Sequence, residues 1–232
     1  MYLCSPFMVN HEKLFNNVDH KMIAEYAFAQ GDNVELLYAD KAAMVIRRDE
    51  MDSLSGCSHM FNNIGDAYAF ILNCENKRRD VFFLAVLPDH YYLLYFNFME
   101  GTLDVIDNMI LSPNVSVKDK YGYDFTKMLE AFGEFYEDKK SAIIFTYETR
   151  NVEMRWKSNQ NKHDCGVFLM KHMETYEGQC QKQWNSGLEK DNFEQMKRLL
   201  VEYCGKIITS EVNEERKRML KMARKWSKIN KF

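Results

Sequence analysis

Asn161-Lys162-His163-Asp164-Cys165-Gly166-Val167-Phe168-Leu169-Met170 is the stretch on which the reading of the whole chain turns. Asp164 stands where a helix would open, and Val167, Phe168 and Met170 would anchor that helix in a core. The pattern predicts a helix over Cys165–Glu177, with Gly178 in the C′ position beyond it. A cysteine in the first turn meets unpaired backbone N–H groups and the positive end of the helix dipole, and both favour thiolate over thiol. Gly166 is expected to keep the surroundings of the sulfur open, and a backbone N–H of the same turn can face an oxyanion. An ordinary buried cysteine produces the same pattern. Chemistry therefore requires a base elsewhere in the chain.

Six histidines are available. His90 follows Pro88-Asp89 and opens a run of strand character, and Asp107 closes the next such run. The strands expected at Tyr91–Met99 and Thr102–Ile106, joined through Glu100-Gly101, form a hairpin. Residues near the mouth of a hairpin oppose each other, so His90 and Asp107 are expected as neighbours. His163 is expected on an exposed loop and His172 on the surface of its helix. His11, His20 and His59 have no carboxylate or cysteine partner implied by spacing. No histidine suggests a zinc site, and no metal is expected.

Working outward, helices are expected at His20–Ala29 with Asp19 as cap, at Asn62–Asn73, Phe125–Asp138 and Phe193–Ile208, with a short turn at Arg48–Asp52. Strand character appears in Val34–Arg47, Val81–Leu87 and Ala142–Tyr147, and residues 1–18 read as irregular. Helices and strands are segregated rather than alternating, which predicts an α+β fold. One domain spanning 1–232 is expected, with a charged helix from about Glu211. Its tail carries Arg216, Lys217, Arg218, Lys221, Arg224, Lys225, Lys228 and Lys231 with no acidic residue among them, read as a solvated helix face.

Composition narrows the class. Of 232 residues, 46% are hydrophobic and 14% aromatic, which suits a well-packed globular core. A net charge of -3 gives no global attraction to nucleic acid or anionic membrane, and neither is expected as a partner. The N-terminal MYLCSPFMVNHEKLF lacks the charge-then-apolar order of a signal peptide. Six cysteines without C-x-x-C spacing suggest reduced thiols, as in cytosol or nucleus.

Asp164-Cys165-Gly166-Val167-Phe168, preceded by Gln160 and Asn161, resembles the nucleophile motif of the ubiquitin-like-protein-specific (SUMO) cysteine proteases. His90-Tyr91-Tyr92-Leu93 resembles their catalytic-histidine strand, and Val105-Ile106-Asp107-Asn108 their aspartate strand. The order His, Asp, Cys is also theirs. Tyr2-Leu3-Cys4-Ser5-Pro6-Phe7 and Lys171-His172-Met173-Glu174-Thr175-Tyr176 resemble plant members.

The resemblance implies a papain-like fold of the Ulp/adenain type, with a mixed sheet packed between helices. It implies Cys165 as nucleophile, His90 as base and Asp107 as the group orienting the base. The implied partner is SUMO or another ubiquitin-like protein and its conjugates, cleaved after a C-terminal Gly-Gly. No cofactor is implied, and a monomer of nuclear or cytoplasmic location is expected, the nucleus favoured by the family.

Three positions depart from the family pattern. Tyr91 replaces the Trp that roofs the substrate channel. A second clamp Trp falls at His59 or Met60. The oxyanion glutamine position holds Asn159, with Gln160 one residue late, so either Asn159 or Gln160 fills that role. These departures support an alternative expectation, a catalytically weak or inactive module that binds a ubiquitin-like protein.

Overall fold

The computed structural model describes residues 18–56, 59–76, 81–87, 90–97, 100–135, 146–161, 163–179 and 182–230. They form two compact units, neither continuous in sequence. One unit is drawn from Met1–Lys77, Lys162–Met170 and Asn192–Phe232, the other from Arg78–Asn161 and Lys171–Asp191. The irregular reading of the N-terminus falls outside the described residues up to position 17.

The first unit is largely helical. Helix α1, Val18–Phe28, buries Ile23, Ala24, Tyr26 and Ala27, the face its periodicity predicts. Asp19 lies within the helix rather than capping it. The segment expected to be strand-like resolves into a short antiparallel pair, β1 (Leu36–Ala39) and β2 (Val45–Arg47). Arg48 then opens the one-turn helix α2, Arg48–Met51.

Only 5% of Arg48 is exposed. Its Nη1 donates to the carbonyls of Tyr26 at 2.5 Å and Ala27 at 2.8 Å, while Nη2 pairs with Glu35 at 2.5 Å. The guanidinium thus satisfies carbonyls that the end of α1 leaves without an intrahelical partner.

Helix α3, Asn62–Asn76, buries Ile64, Ala67, Tyr68, Ile71 and Leu72 as its periodicity predicts. The two C-terminal helices of this unit are Phe193–Thr209 and Arg216–Ile229. The first is capped by Asn192, whose Oδ1 accepts from Gln195 N at 3.0 Å, and both pack on α1. The last helix begins at Arg216 rather than near Glu211, because Asn213 is drawn inward. That buried amide donates to the carbonyls of Leu37 at 3.1 Å and Ile208 at 2.8 Å. Along the basic helix Met219 and Ala223 are buried, while Lys217, Lys221, Arg224, Lys225 and Lys228 are exposed.

The second unit is organised by a four-stranded mixed sheet in the order β3 (Val81–Leu87), β4 (His90–Asn97), β5 (Thr102–Ile106), β6 (Glu148–Asn151). The first three strands are antiparallel, and β6 runs parallel to β5. A parallel neighbour needs a crossover, and helix α4, Val117–Phe135, lies in it. Asn97 pairs with Thr102, so four residues rather than Glu100-Gly101 alone separate the paired strands. Gly101 sits there at φ 63°, a left-handed conformation that glycine adopts at little cost.

Every residue of β4 and β5 is buried, so both faces of the central strands are covered. Tyr92, Leu94, Phe96, Leu103 and Val105 form one cluster with Tyr121 of α4. On the opposite parity, Asp104 is wholly buried. It accepts from the Tyr176 hydroxyl at 2.7 Å and pairs with Arg150 through two contacts of 2.6 and 2.8 Å.

Helix α4 starts eight residues before the expected Phe125. Ser116 Oγ accepts from Asp119 N at 3.1 Å, and Asp119 Oδ2 accepts from Ser116 N at 3.2 Å, a reciprocal cap that fixes the earlier start. The stretch 136–138, and most of the strand expected at Ala142–Tyr147, lie outside the described residues. The strand that is described there is β6, beginning at Glu148.

Helix α5, Cys165–Thr175, contributes its first six residues to one unit and its last five to the other. It ends two residues before the expected Glu177, and Gly178 follows at φ 78°. A Cβ on Gly178 would lie 2.6 Å from Asn97 Nδ2, so bulk as well as backbone conformation requires glycine there.

Candidate active site

Strand parity places His90, Tyr92, Leu94 and Phe96 on one face of β4, and Leu103, Val105 and Asp107 on the same face of the β5 segment. The register pairs Leu93 with Ile106, so one further step aligns Tyr92 with Asp107. His90, two residues away on the same face, becomes the diagonal neighbour of that carboxylate. Its Nε2 lies 2.7 Å from Asp107 Oδ1. The expected His–Asp pair is present, reached by a diagonal rather than by direct opposition.

Asp107 has no exposed surface and four donors. Oδ1 accepts from His90 Nε2 and from Met109 N, each at 2.7 Å. Oδ2 accepts from Lys120 Nζ at 2.8 Å and, through a short contact, from the Tyr121 hydroxyl. Burial alone would push this carboxyl up, but the His90 hydrogen bond and the charges of His90 and Lys120 hold it well below the usual carboxylate range. The same burial, with the neighbouring Asp107 charge, raises the Tyr121 phenol.

An anionic Asp107 fixes the imidazole with its proton on Nε2, which leaves the Nδ1 lone pair as the basic site. The ring of His90 lies nearly parallel to Tyr92, at 18° and 6.4 Å between centroids. Tyr92 packs in turn on Tyr121 at 4.6 Å. Lys120 and Tyr121 escape a reading of the sequence that starts α4 at Phe125. The signal that reveals them is Ser116-Val117-Lys118-Asp119, a capping-box pattern.

The segment after β6 is laced to the turn that follows Asp107. Val152 N donates to Val105 O and Ser158 N to Asn108 O, both at 2.9 Å. The Asn159 side-chain oxygen accepts from Ile110 N at 3.0 Å, leaving its amide N–H groups as donors. Gln160 N donates to Ser158 Oγ at 3.1 Å, and both Asn159 and Gln160 are exposed. Lys157, 5% exposed, donates to Asn151 Oδ1 at 3.1 Å, and burial lowers its pKa. Tyr91, on the other parity of β4, is 7% exposed.

His172 is not a surface residue. It is 2% exposed and accepts from Trp156 Nε1 at 3.0 Å. Trp184 stands edge-on to both rings, at 5.4 Å from His172 and 4.9 Å from Trp156. Burial pushes the imidazole down to about 3, so it is neutral in the folded state. The helix periodicity misleads because Val167, Phe168, Leu169, Met170, His172 and Met173 are all buried, leaving no clean polar stripe.

In the first unit, Cys165 occupies the first position of α5 and is 1% exposed. The carbonyl of Asp164 accepts from Val167 N at 2.9 Å and Phe168 N at 3.1 Å, which makes Asp164 the N-cap residue by backbone. The N–H groups of Cys165 and Gly166 therefore precede the first intrahelical donor of the helix.

Gly166 proves to be a packing requirement. A Cβ there would lie 2.7 Å from Met60 Sδ and 2.9 Å from Met60 Cβ. Met60 therefore packs against Gly166 in the first turn of α5. His59 is exposed, with its ring 6.0 Å from that of His163. Cys74, Cys165 and Cys204 are in no disulfide. No metal-holding group of three or more His, Cys, Asp or Glu occurs among the described residues.

This fold is that of the Ulp-type cysteine protease domain, an α+β architecture with a mixed sheet. Two solved structures show the likeness. A structure of the SUMO protease Ulp1 with its catalytic cysteine oxidised to a sulfonic acid aligns with a TM-score of 0.60 and 11% identity, over 88% of this chain and 100% of that one. The C-terminal Ulp1 protease domain in complex with Smt3, the yeast ortholog of SUMO, gives 0.61 and 14%, over 86% and 97%. No protein-family model matches the chain, and no curated protein matches it.

Proposed function

We propose that this protein is a cysteine peptidase that cleaves after the C-terminal Gly-Gly of SUMO or another ubiquitin-like modifier, in precursors or isopeptide conjugates. The observation that carries the reading is the buried His90–Asp107 pair, 2.7 Å apart, on the fold of a SUMO protease domain. Cys165, at a helix N-terminus and later in the chain than His90 and Asp107, is the nucleophile of this reading.

Asp107 holds the Nε2–H tautomer of His90, whose Nδ1 takes the proton of the Cys165 thiol. The thiolate attacks the carbonyl of the terminal glycine, and the amine leaves with the proton from His90. Water then attacks the thioester, giving its proton back through His90, and frees the modifier carboxylate and the thiol. The oxyanion donors of this reading are backbone N–H groups at the helix tip and the amide of Asn159, already oriented by Ile110 N; Gln160 is the other candidate. Tyr91 serves as a channel residue, joined by Met60 or His59. The protein acts as a monomer in the nucleus or cytoplasm, and needs no cofactor.

A modifier carrying a C-terminal electrophile tests the proposal on the full chain. The expected result is a covalent adduct at Cys165, abolished in Cys165→Ser and slowed about 10²- to 10⁴-fold in His90→Ala. A folded wild-type protein that forms no adduct overturns the enzyme reading. The clamp position at His59 and the oxyanion position at Asn159, which differ from the family pattern, favour one second reading: a module that holds the modifier without cleaving it. Stoichiometric binding without adduct or cleavage selects that reading.

A further inference from the structure

The Asp107 carboxylate is shared. One oxygen serves His90 and the Met109 amide; the other is held by Lys120 Nζ at 2.8 Å and by the Tyr121 hydroxyl. A catalytic carboxylate needs one imidazole to orient, and the peptide N–H already fixes its plane. A second, cationic partner drains negative charge from the group that stabilises an imidazolium. Lys120 is 24% exposed on its side chain, so its ammonium reaches solvent while it contacts Asp107. It also lies 4.8 Å over the ring of Tyr121, which is 2% exposed and locked against Tyr92 beside His90.

We infer that Lys120 is a positioning residue that tunes His90 through Asp107, drawing negative charge away from the carboxylate that orients the imidazole and so weakening its hold on the protonated ring. This deepens the proposed function and rests on it for its catalytic meaning, though the electrostatic claim concerns only the His90–Asp107–Lys120 chain. A dyad without the lysine would hold imidazolium more strongly, because a lone buried carboxylate keeps its full charge on the ring.

The other groups in this unit that face the pair do not replace Lys120. Tyr92 carries no formal positive charge to offer, and the Tyr121 phenol has its pKa raised by burial and by the Asp107 charge. Lys157 is coupled to Asp107 but is engaged by Glu153 at 3.6 Å and Asn151 at 3.1 Å, with its pKa lowered by burial. His172 is buried and neutral. Lys120 is the cation in hydrogen-bond contact with Asp107 among the described residues.

The test reads the imidazole directly. The His90 ring Cε1–H resonance, assigned by its loss in His90→Gln, is titrated by NMR in full-length wild type, Lys120→Met, Lys120→Gln and Lys120→Arg. The neutral replacements are expected to raise the His90 pKa by about 0.5–1 unit, discounted for the solvent exposure of the lysine, and Lys120→Arg to leave it within about 0.2 unit.

The acid limb of adduct formation at Cys165 should move upward by the same amount, a shift that simple loss of packing would not produce. A His90 pKa unchanged in both neutral variants, or raised equally by Lys120→Arg, overturns the inference. The two failures are distinguishable. Absence of adduct in the wild type removes the proposed function, whereas an intact adduct with an unmoved titration removes the role of Lys120 alone.

Discussion

Asp107 receives His90 on the same oxygen that receives the amide of Met109, two residues further along its own turn. The acceptor geometry is therefore set by the backbone, and the ring is held at a carboxylate that cannot swing away.

The depressed pKa of Asp107 makes stability depend on pH in a defined sense. The unfolded carboxyl binds protons more readily than the folded one. The contribution is thus fully present above about pH 4 and is lost as pH falls through the depressed folded value. Asp107→Asn should lower Tm at pH 7, and its deficit against wild type should shrink as the buffer is taken below about pH 4. A deficit constant over that range in thermal melts contradicts the assignment.

Gly166→Ala should destabilise the protein by about 1–3 kcal/mol, because the added methyl meets both the root and the far end of Met60. Met60→Ala opens the space, so the double variant should recover part of the loss. A double-mutant cycle by urea denaturation measures the coupling, and strict additivity would show that Met60 is not the obstruction.

His172 is neutral in the fold and protonates readily once unfolded. Stability should fall as pH drops from about 6.5 toward 3, by up to about 1.4 kcal/mol per pH unit from this group. His172→Gln, which keeps an acceptor for Trp156 Nε1, should flatten that part of the profile. Chemical denaturation at a series of pH values checks it; parallel profiles for the two proteins exclude the role.

Tyr176→Phe removes a buried donor from the fully buried Asp104 and should cost about 1.5–3 kcal/mol. The loss should diminish in an Asp104→Asn background, where the acceptor is no longer charged. Equal losses in both backgrounds, measured by denaturant midpoints, would show that the bond to Asp104 is not what Tyr176 contributes.

The part of the fold legible in the sequence is the part governed by short-range periodicity. Val81–Leu87 and Thr102–Ile106 have the predicted bounds, and α3 buries the predicted face, because each pattern is local and unambiguous. His90 and Asp107 were legible as a pair since one hairpin links them. Lys120 and Tyr121 were not, because Val117–Gly122 is polar and contains a glycine, and its helix is started by the cap at Ser116. The burial of His172 was hidden for a different reason. Its surroundings come from Trp156 and Trp184, and their proximity is a tertiary fact that no local pattern encodes.

The interleaving of the two units has a consequence for the order of assembly during synthesis. The sheet unit has all its segments once Asp191 has left the ribosome, whereas α1 must wait for the helices Phe193–Thr209 and Arg216–Ile229. The emerging chain thus carries the apolar side of α1 uncovered through most of translation, and chaperone occupancy should concentrate on that early segment.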